Sequence, residues 1–500
     1  MSKYLRIGLA LLAAIAIIYF AYEDRDTTVD DGDVSTLRFR LESFSLSLDP
    51  ANILDTQSRR VIDMLHSRLI NEDVNGQVTG ELAQEWEWLN PLTLEVALRP
   101  GMTFSNGKSV RAADVAWSLC RHVQPTAVFL WLFDNIEHSN IDDKTADCTG
   151  LRVIDEVTLQ IHLTHSPERL MHALASSMGA VVPEKSEPGE YANLPGAGPY
   201  KIARIESNAV VELTAHKGGP IQPSAKRAEF RHIPDDATAA AQFAAGELDA
   251  LEIANPRLLQ MVGRIKSKVG VRSFSENTHQ VRLLIVNIDR LRGERNWTSE
   301  EIDTFIHDLH SVARSDELSN LYGELGKPVS SDYFPARDNL ATQSNAISSP
   351  LKGVERQALQ IISENDAYSE QIAATLPKQL GAIELDYIGL DKSLLIDRLV
   401  KKNYDIASIT LEALVADPVY WASFFKPGSP FTLFGTALPE LADIEPNRDN
   451  ILTFAKIIDD SGNWVVLFQE RRMYLFNVDV VGERLLPTGL LDFSRMSKEH

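Results

Sequence analysis

Apolar and polar residues alternate along this chain in a way that sets out a long series of strands and helices. Leu37, Phe39 and Leu41 alternate with Arg38 and Arg40, which predicts a first strand. Over residues 58–69, Val61, Ile62, Leu65 and Leu69 fall on one helical face. The stretch 80–90 (GELAQEWEWLN) reads as a short polar helix, and 93–99 alternates around Leu94, Val96 and Leu98 as a strand with one buried face. Arg99-Pro100-Gly101 ends that strand. Ser105-Asn106-Gly107 then supplies residues that tolerate positive φ in a turn. From Ala112 onward Val115, Ala116 and Leu119 fit a helix, with Asp114 in its first turn, where a negative charge favours the dipole.

Further along, Gly198-Pro199 is a turn feeding a strand at 200–205, with 209–215 as its hairpin partner. Gly246 stands just past the helix predicted before it, where a left-handed residue is needed. Residues 281–287 form an apolar strand ending on Asn287. Thr298 and Glu301 make a capping box that opens a helix with Ile302, Phe305, Ile306 and Leu309 on its apolar face. The stretches 363–380, 383–388, 394–402 and 404–409 alternate helix, strand, helix, strand, which predicts a parallel sheet. Residues 465–468 and 473–476 read as two closing strands.

Five hundred residues exceed what one hydrophobic core holds, so two or three domains are expected. A formal charge of −21 argues against non-specific binding to nucleic acid or to anionic lipid. Lys3 and Arg6 precede an uncharged run over residues 7–22, the layout of a secretory signal or an uncleaved anchor. Cleavage after Ala14-Ile15-Ala16 leaves Ile17-Ile18-Tyr19-Phe20 exposed, which favours the anchor, with a polar linker at 27–36 leading away from the membrane. The body then lies outside the cytoplasmic membrane. Cys120 and Cys148 are the only cysteines, and an oxidising compartment favours a bridge over two buried thiols.

The order in 80–117 closely resembles the opening signature of the family 5 extracellular solute-binding proteins, the oligopeptide, dipeptide and nickel type. PGAGPYK at 195–201 resembles that family's G-[ST]-G-P-Y, with Ala197 in place of the small hydroxyl residue. AAAQFAAGELD at 239–249 resembles its helix followed by G-E-[ILV]-D. The resemblance covers about 37–500 and thins after residue 290. It implies an α/β fold of the periplasmic-binding-protein type (type II, cluster C), with two lobes, an interlobe cleft and a subdomain inserted in the first lobe. By the same resemblance lobe I comprises 37–72, 194–280 and 476–500, the insert 73–193, and lobe II 281–475. Signal or anchor occupies 1–26. The implied protein is a monomeric periplasmic binder of a peptide or other small solute, serving an ABC permease and ATPase complex and tethered to the inner membrane by residues 7–22. The alternative is a membrane-tethered sensor or envelope assembly factor without a transport role.

Catalytic patterns are missing: there is no G-x-S-x-G elbow and no HExxH. The chain is therefore expected to be no enzyme and to carry no cofactor or metal. His307 and His310 share a helix without the further ligands a metal needs, and Gly107-Lys108-Ser109 is a polar turn and not a phosphate loop. The family resemblance places ligand contacts at Phe44, Glu252, Asn255, His279, Gln280, Glu412, Asp417, Tyr420 and Trp421. In peptide-binding members an aspartate in W-x-A-D-Y-x-[DE]-P pairs with the peptide α-ammonium. Here Leu414 stands in its place and Leu411 replaces the aromatic, while Asp417-Pro418 matches. A buried ammonium without a carboxylate is costly. Either Glu412 or Asp417 takes over, or the ligand is not an ordinary peptide with a free N-terminus.

Overall fold

The computed structural model describes residues 36–499, except for 316–325, 328–357, 413–424, 426–437 and scattered shorter gaps. The fold is a two-lobed α/β architecture. Thr36–Leu41 lies parallel to Arg227–His232, which continues antiparallel to Val210–Ala215 and Tyr200–Glu206. The predicted alternation buries Leu37, Phe39 and Leu41, and Phe39 packs on Phe230 and on Phe493 with ring centroids 5.3 and 4.5 Å apart. Phe493 brings the C-terminal segment back onto the first sheet. Lys498 seals that return with a buried ion pair to Asp249 at 2.8 Å, while Asp249 also accepts from the Arg38 amide at 2.7 Å.

The first helix is Thr56–Leu65, capped by Asp55, whose carboxylate accepts from the Ser58 amide at 2.8 Å. It ends earlier than the apolar periodicity predicts. The Leu65 carbonyl accepts from the Gly198 amide at 2.9 Å, and the chain turns into the strand Ile70–Glu72, so Leu69 is buried without being helical. This contact explains the glycines at 196 and 198. A Cβ at Gly196 would lie 2.0 Å from the Leu65 carbonyl oxygen, and one at Gly198 would lie 2.4 Å from the Leu65 carbonyl carbon.

A second, four-stranded antiparallel sheet orders Ala83–Asn90, Thr93–Leu98, Thr158–His162 and Leu151–Val153. The short polar helix expected at 80–90 is therefore a strand. Trp86 and Trp88 alternate with exposed Glu85 and Glu87 and pack half-buried above Val96 and Leu94, a period of two that the short window concealed. Gly107, at φ 83°, closes the expected turn, its amide donating to the Phe104 carbonyl. Helix Ala112–Cys120 follows, and Asp114 accepts from the Arg111 amide at 2.8 Å and from the Glu184 amide at 2.7 Å. Cys120 at its end is joined to Cys148, with Cα atoms 5.7 Å apart.

The largest sheet runs in the order Ala250–Ile253, Trp464–Asn477, Val271–Val286, Ile406–Glu412, Ala358–Glu364, Glu384–Leu390, with Gly326–Lys327 also paired to Trp464–Asn477. Ile406–Glu412, Ala358–Glu364 and Glu384–Leu390 are parallel, as the helix–strand alternation predicts. The sheet as a whole is mixed, because its first four strands pair antiparallel. The predicted helix at 363–380 starts later, at Ala367. The β-branched run before it is the strand Ala358–Glu364, with Leu359, Ile361 and Ile362 buried. The two closing strands are one, Trp464–Asn477. Thr298 and Glu301 form the expected capping box, Thr298 donating to the Glu301 carboxylate at 2.7 Å and the Glu301 amide returning to the Thr298 hydroxyl at 3.3 Å. Gly246 takes φ 78° after its helix. Two apolar clusters cover the two faces of the large sheet: one, holding Leu283, Ile362 and Ala407, is continuous with the N-terminal sheets, and the other, holding Leu284, Ile361 and Ile406, includes the helices Asp236–Ala244, Pro256–Val262, Ser299–Ala313 and Ala367–Leu380.

Candidate functional site

The paired strands Val271–Val286 and Trp464–Asn477 form a crossing, meeting Ala250–Ile253 near residues 473–476 and Ile406–Glu412 near residues 280–286. Their register shifts twice, once by a single residue at Leu467 between Arg282 and Leu283, and more widely near the middle. Asn277 faces Arg471 and Val281 faces Gln469, so Thr278, His279 and Gln280 stand opposite the single residue Glu470. Such bulges bend a strand and re-aim its side chains, and they occur beside binding sites. Side chains replace the lost ladder: the Thr278 hydroxyl donates to the Glu470 carbonyl at 2.9 Å, and the Gln469 amide donates to the Thr278 carbonyl at 2.8 Å. Gly489 approaches from the C-terminal segment so closely that a Cβ there would lie 2.1 Å from the Asn277 carbonyl oxygen.

A buried charged network surrounds the bulge. Glu252, at the end of Ala250–Ile253, pairs with Arg60 of the first helix and with Arg472 at 3.2 Å. Arg472 also donates to the Gln280 side chain at 2.6 Å and lies 3.4 Å from Glu470. Glu470 in turn accepts from Arg282 at 3.0 Å and from the Thr410 hydroxyl at 2.9 Å. Arg282 reaches the Ser369 hydroxyl at 2.9 Å. Burial works against the Arg472 charge, but Glu252 and Glu470 outweigh it and raise its pKa above the usual arginine value. Tyr474, on the same strand, is pushed well above the ordinary tyrosine value by burial and then by the Glu252 charge. Each carboxylate of the network lies against at least one arginine. A cavity beside Arg60 and Glu252 measures about 10 Å³. That holds roughly one water, not a solute.

The structure brings together two of the expected site residues, Glu252 and Gln280, both on Arg472. Glu412 joins them through the backbone, since Gln280 faces Glu412 in the strand register. The side chains of His279 and Glu412 lie outside the described residues, as do Asp417, Tyr420, Trp421 and Leu414 entirely. Phe44 is buried with its ring against Tyr191 and His232, centroids 6.0 and 5.7 Å away. Asn255 caps the helix Pro256–Val262 through the Leu258 amide at 2.8 Å.

Arg60, Arg282, Glu470 and Arg472 are central to the crossing and were not singled out from the sequence. Their signal is charge inside apolar strand runs: QERR at 469–472 divides VVLF from MYLF, and Arg282 precedes LLIV. His307, exposed on its helix, lies 3.5 Å from the buried carboxylate of Asp308. Among the described residues no group of three or more histidines, cysteines, aspartates or glutamates gathers to hold a metal.

The model for bacterial extracellular solute-binding proteins, family 5 Middle, matches residues 77–298. Over 256 residues the chain is 24% identical to the periplasmic murein peptide-binding protein MppA of Escherichia coli, covering 48% of this chain and 47% of MppA. Over 166 residues it is 30% identical to the HTH-type transcriptional regulator SgrR of Salmonella typhimurium, covering 32% of this chain and 27% of the regulator. The matched stretch thus spans about half or less of these curated relatives. The solved structure of the E. coli murein tripeptide binding protein MppA superposes with a TM-score of 0.76 at 17% identity, covering 93% of this chain and 99% of that one.

Proposed function

We propose that this chain, whose residues 77–298 match the family 5 extracellular solute-binding proteins, is a member of that family and holds a peptide-like or other small solute between its lobes. Delivery of that solute to an ABC permease and ATPase complex completes the proposal. The observation that carries it is the likeness of fold across 93% of the chain to a binding protein of the same family, together with the family match through the middle region. Family 5 members are binding proteins and not enzymes, and the crossing seen here has the chemistry of a binding-protein cleft floor. Polar side chains are fixed by partners between apolar walls, and interlobe clefts of this kind exclude water and orient a ligand with a few groups.

The proposed ligand contacts are Phe44, Glu252, Asn255, His279, Gln280, Glu412, Asp417, Tyr420 and Trp421. The proposed division is lobe I at 37–72, 194–280 and 476–500, the insert at 73–193 and lobe II at 281–475. The chain acts as a monomer in the periplasm, tethered by residues 7–22, with the Cys120–Cys148 bridge formed there. Among the described residues no helix is long and apolar enough to cross a membrane, and residues 7–22 precede them.

One observation favours a second function. The stretch shared with SgrR lies in an HTH-type transcriptional regulator, which favours a regulatory role over a transport role. A tethered sensor or assembly factor would use the same cleft.

Titration calorimetry with mixed di- to pentapeptides, free and N-acetylated, tests the ligand class. With Leu414 in the clamp position, free peptides are expected to bind no tighter than micromolar, about −8 kcal/mol, and acetylation is expected to change little. Nanomolar binding lost on acetylation would show that Glu412 or Asp417 has restored the clamp. A complete lack of heat with peptides and with a panel of small solutes would overturn the binding function itself.

A further inference from the structure

The bulge at Thr278–Gln280 is the weakest point of the backbone ladder between the two crossing strands, since three residues there face only Glu470. Lobe movement requires backbone torsions to change where the lobes are joined, and a break in the ladder is where such changes meet least resistance. The charged network passes through that same point. It starts at Arg60 on the helix Thr56–Leu65, continues through Glu252, Arg472, Glu470 and Arg282, and ends at Ser369 on the helix Ala367–Leu380. Ser369 lies 3.2 Å from the Ser408 hydroxyl, and Thr410 on the same strand as Ser408 donates to Glu470. The ladder therefore begins on a helix from the N-terminal part of the chain and ends on a helix and a strand from its C-terminal part. Its central residue is the one the bulge faces.

We propose that this buried ion ladder, with Glu470 as its keystone, is a strut that fixes the angle between the lobes in the absence of ligand. Glu470 makes its contacts with both carboxylate oxygens: Oε1 receives Arg282 and Thr410, and Oε2 faces Arg472. Rotation of one lobe against the other about the bulge pulls at least one of these partners away and leaves a charge buried without its counter-charge. Bulk salt does not loosen such a strut, because ions do not enter the site, whereas pairs exposed on a cleft rim weaken at high ionic strength. The proposal needs no ligand and stands independently of which solute binds.

Double electron–electron resonance on the full-length chain in detergent tests it, with spin labels at Lys201→Cys and Lys401→Cys. Both lysines are exposed, on the N-terminal sheet and after the helix Lys392–Val400 respectively. The unsubstituted ladder is expected to give one narrow distance distribution, unchanged between 0.05 and 1 M salt on the order of the range over which surface pairs respond. Glu470→Gln, nearly the same shape without the charge, is expected to at least double the width or add a second distance. Thr410→Val, which removes one partner and leaves the charges paired, is expected to broaden it less, and it decides the matter if Glu470→Gln fails to fold. A folded Glu470→Gln protein with the original narrow distribution would overturn the strut. So would a ladder-intact protein whose distribution is already broad, or a Thr410→Val distribution identical to wild type where Glu470→Gln does not fold.

Discussion

Replacing Gly198 by alanine places a methyl group where the first helix ends. The added Cβ would lie 2.4 Å from the Leu65 carbonyl carbon and 2.5 Å from the His66 nitrogen, both backbone atoms. No side-chain rotamer relieves such a contact, so either the turn Gly196–Tyr200 or the end of the helix must shift. A shift also strains the bond from the residue 198 amide to the Leu65 carbonyl, now 2.9 Å. Overpacking typically costs about 1–3 kcal/mol, and backbone neighbours put this site near the top of that range. A loss of about 3 kcal/mol lowers the folding equilibrium constant by roughly two orders of magnitude. The matched control is Gly107→Ala. Gly107 has φ 83° but open space around its missing Cβ, so only the left-handed backbone resists, at about 1 kcal/mol. Urea unfolding compares the two, and amide hydrogen exchange at residue 198 and at His66, which donates to the Ile62 carbonyl, locates the damage. Equal losses in the two variants, or a larger one for Gly107→Ala, would refute the close-approach account of the PGAGPY motif.

Stability should also fall in mild acid. Burial holds the His66 and His122 imidazoles down to about 4 from an ordinary 6.5, with the Arg121 charge adding to the effect at both. Folded-state pKa values below the unfolded ones mean that the unfolded chain binds protons first. The contribution is therefore complete above about pH 6.5 and lost progressively toward about pH 4, at most roughly 3 kcal/mol per histidine. Burial raises Asp63 and Glu81, which act in the opposite direction, so the readout is the difference between wild type and His122→Gln in urea unfolding at pH 7.5 and 4.5. His122→Gln should lose distinctly less on acidification, and an identical loss would remove His122 from the account. The Cys120–Cys148 bridge closes a loop of 28 residues and should contribute about 3 kcal/mol in the chain-entropy model. Mass spectrometry of the unreduced, denatured protein from its native compartment should show the loss of two hydrogens, and two alkylatable thiols there would disprove the bridge.

Much of the first half of the fold could be read from local pattern, because its signals are local. The turn at Ser105–Gly107, the strand around Leu94, Val96 and Leu98, and the cap at Thr298 each depend on residues within one or two turns of one another. The glycines of PGAGPY were legible as a motif, but their cause, the end of the helix at Leu65, is more than 130 residues away. The segment EWEW read as helix because two charged–aromatic repeats are too short to separate a period of 2 from one of 3.6. The crossing was hidden for a different reason. QERR looked like an interruption between two strands, since a charged run inside a buried strand is stable only when its partners come from elsewhere. Those partners are Glu252 for Arg472 and Arg282 for Glu470, placed by the fold and not by the neighbouring sequence. Glu252 and Gln280 were identified by resemblance, yet nothing local indicates that both meet on Arg472.

The central claim is that the cleft at this crossing holds a small solute. Native mass spectrometry of the full-length protein, purified in detergent without a denaturing step, tests that claim most directly, because closure around a ligand slows its escape. The account predicts an adduct of peptide or small-solute mass on the folded protein, released on denaturation and recoverable for identification, and taken up again when returned to the stripped protein. A folded protein that carries only its own mass, and that neither binds the recovered small-molecule fraction of its native compartment nor gains thermal stability from it, would contradict the account.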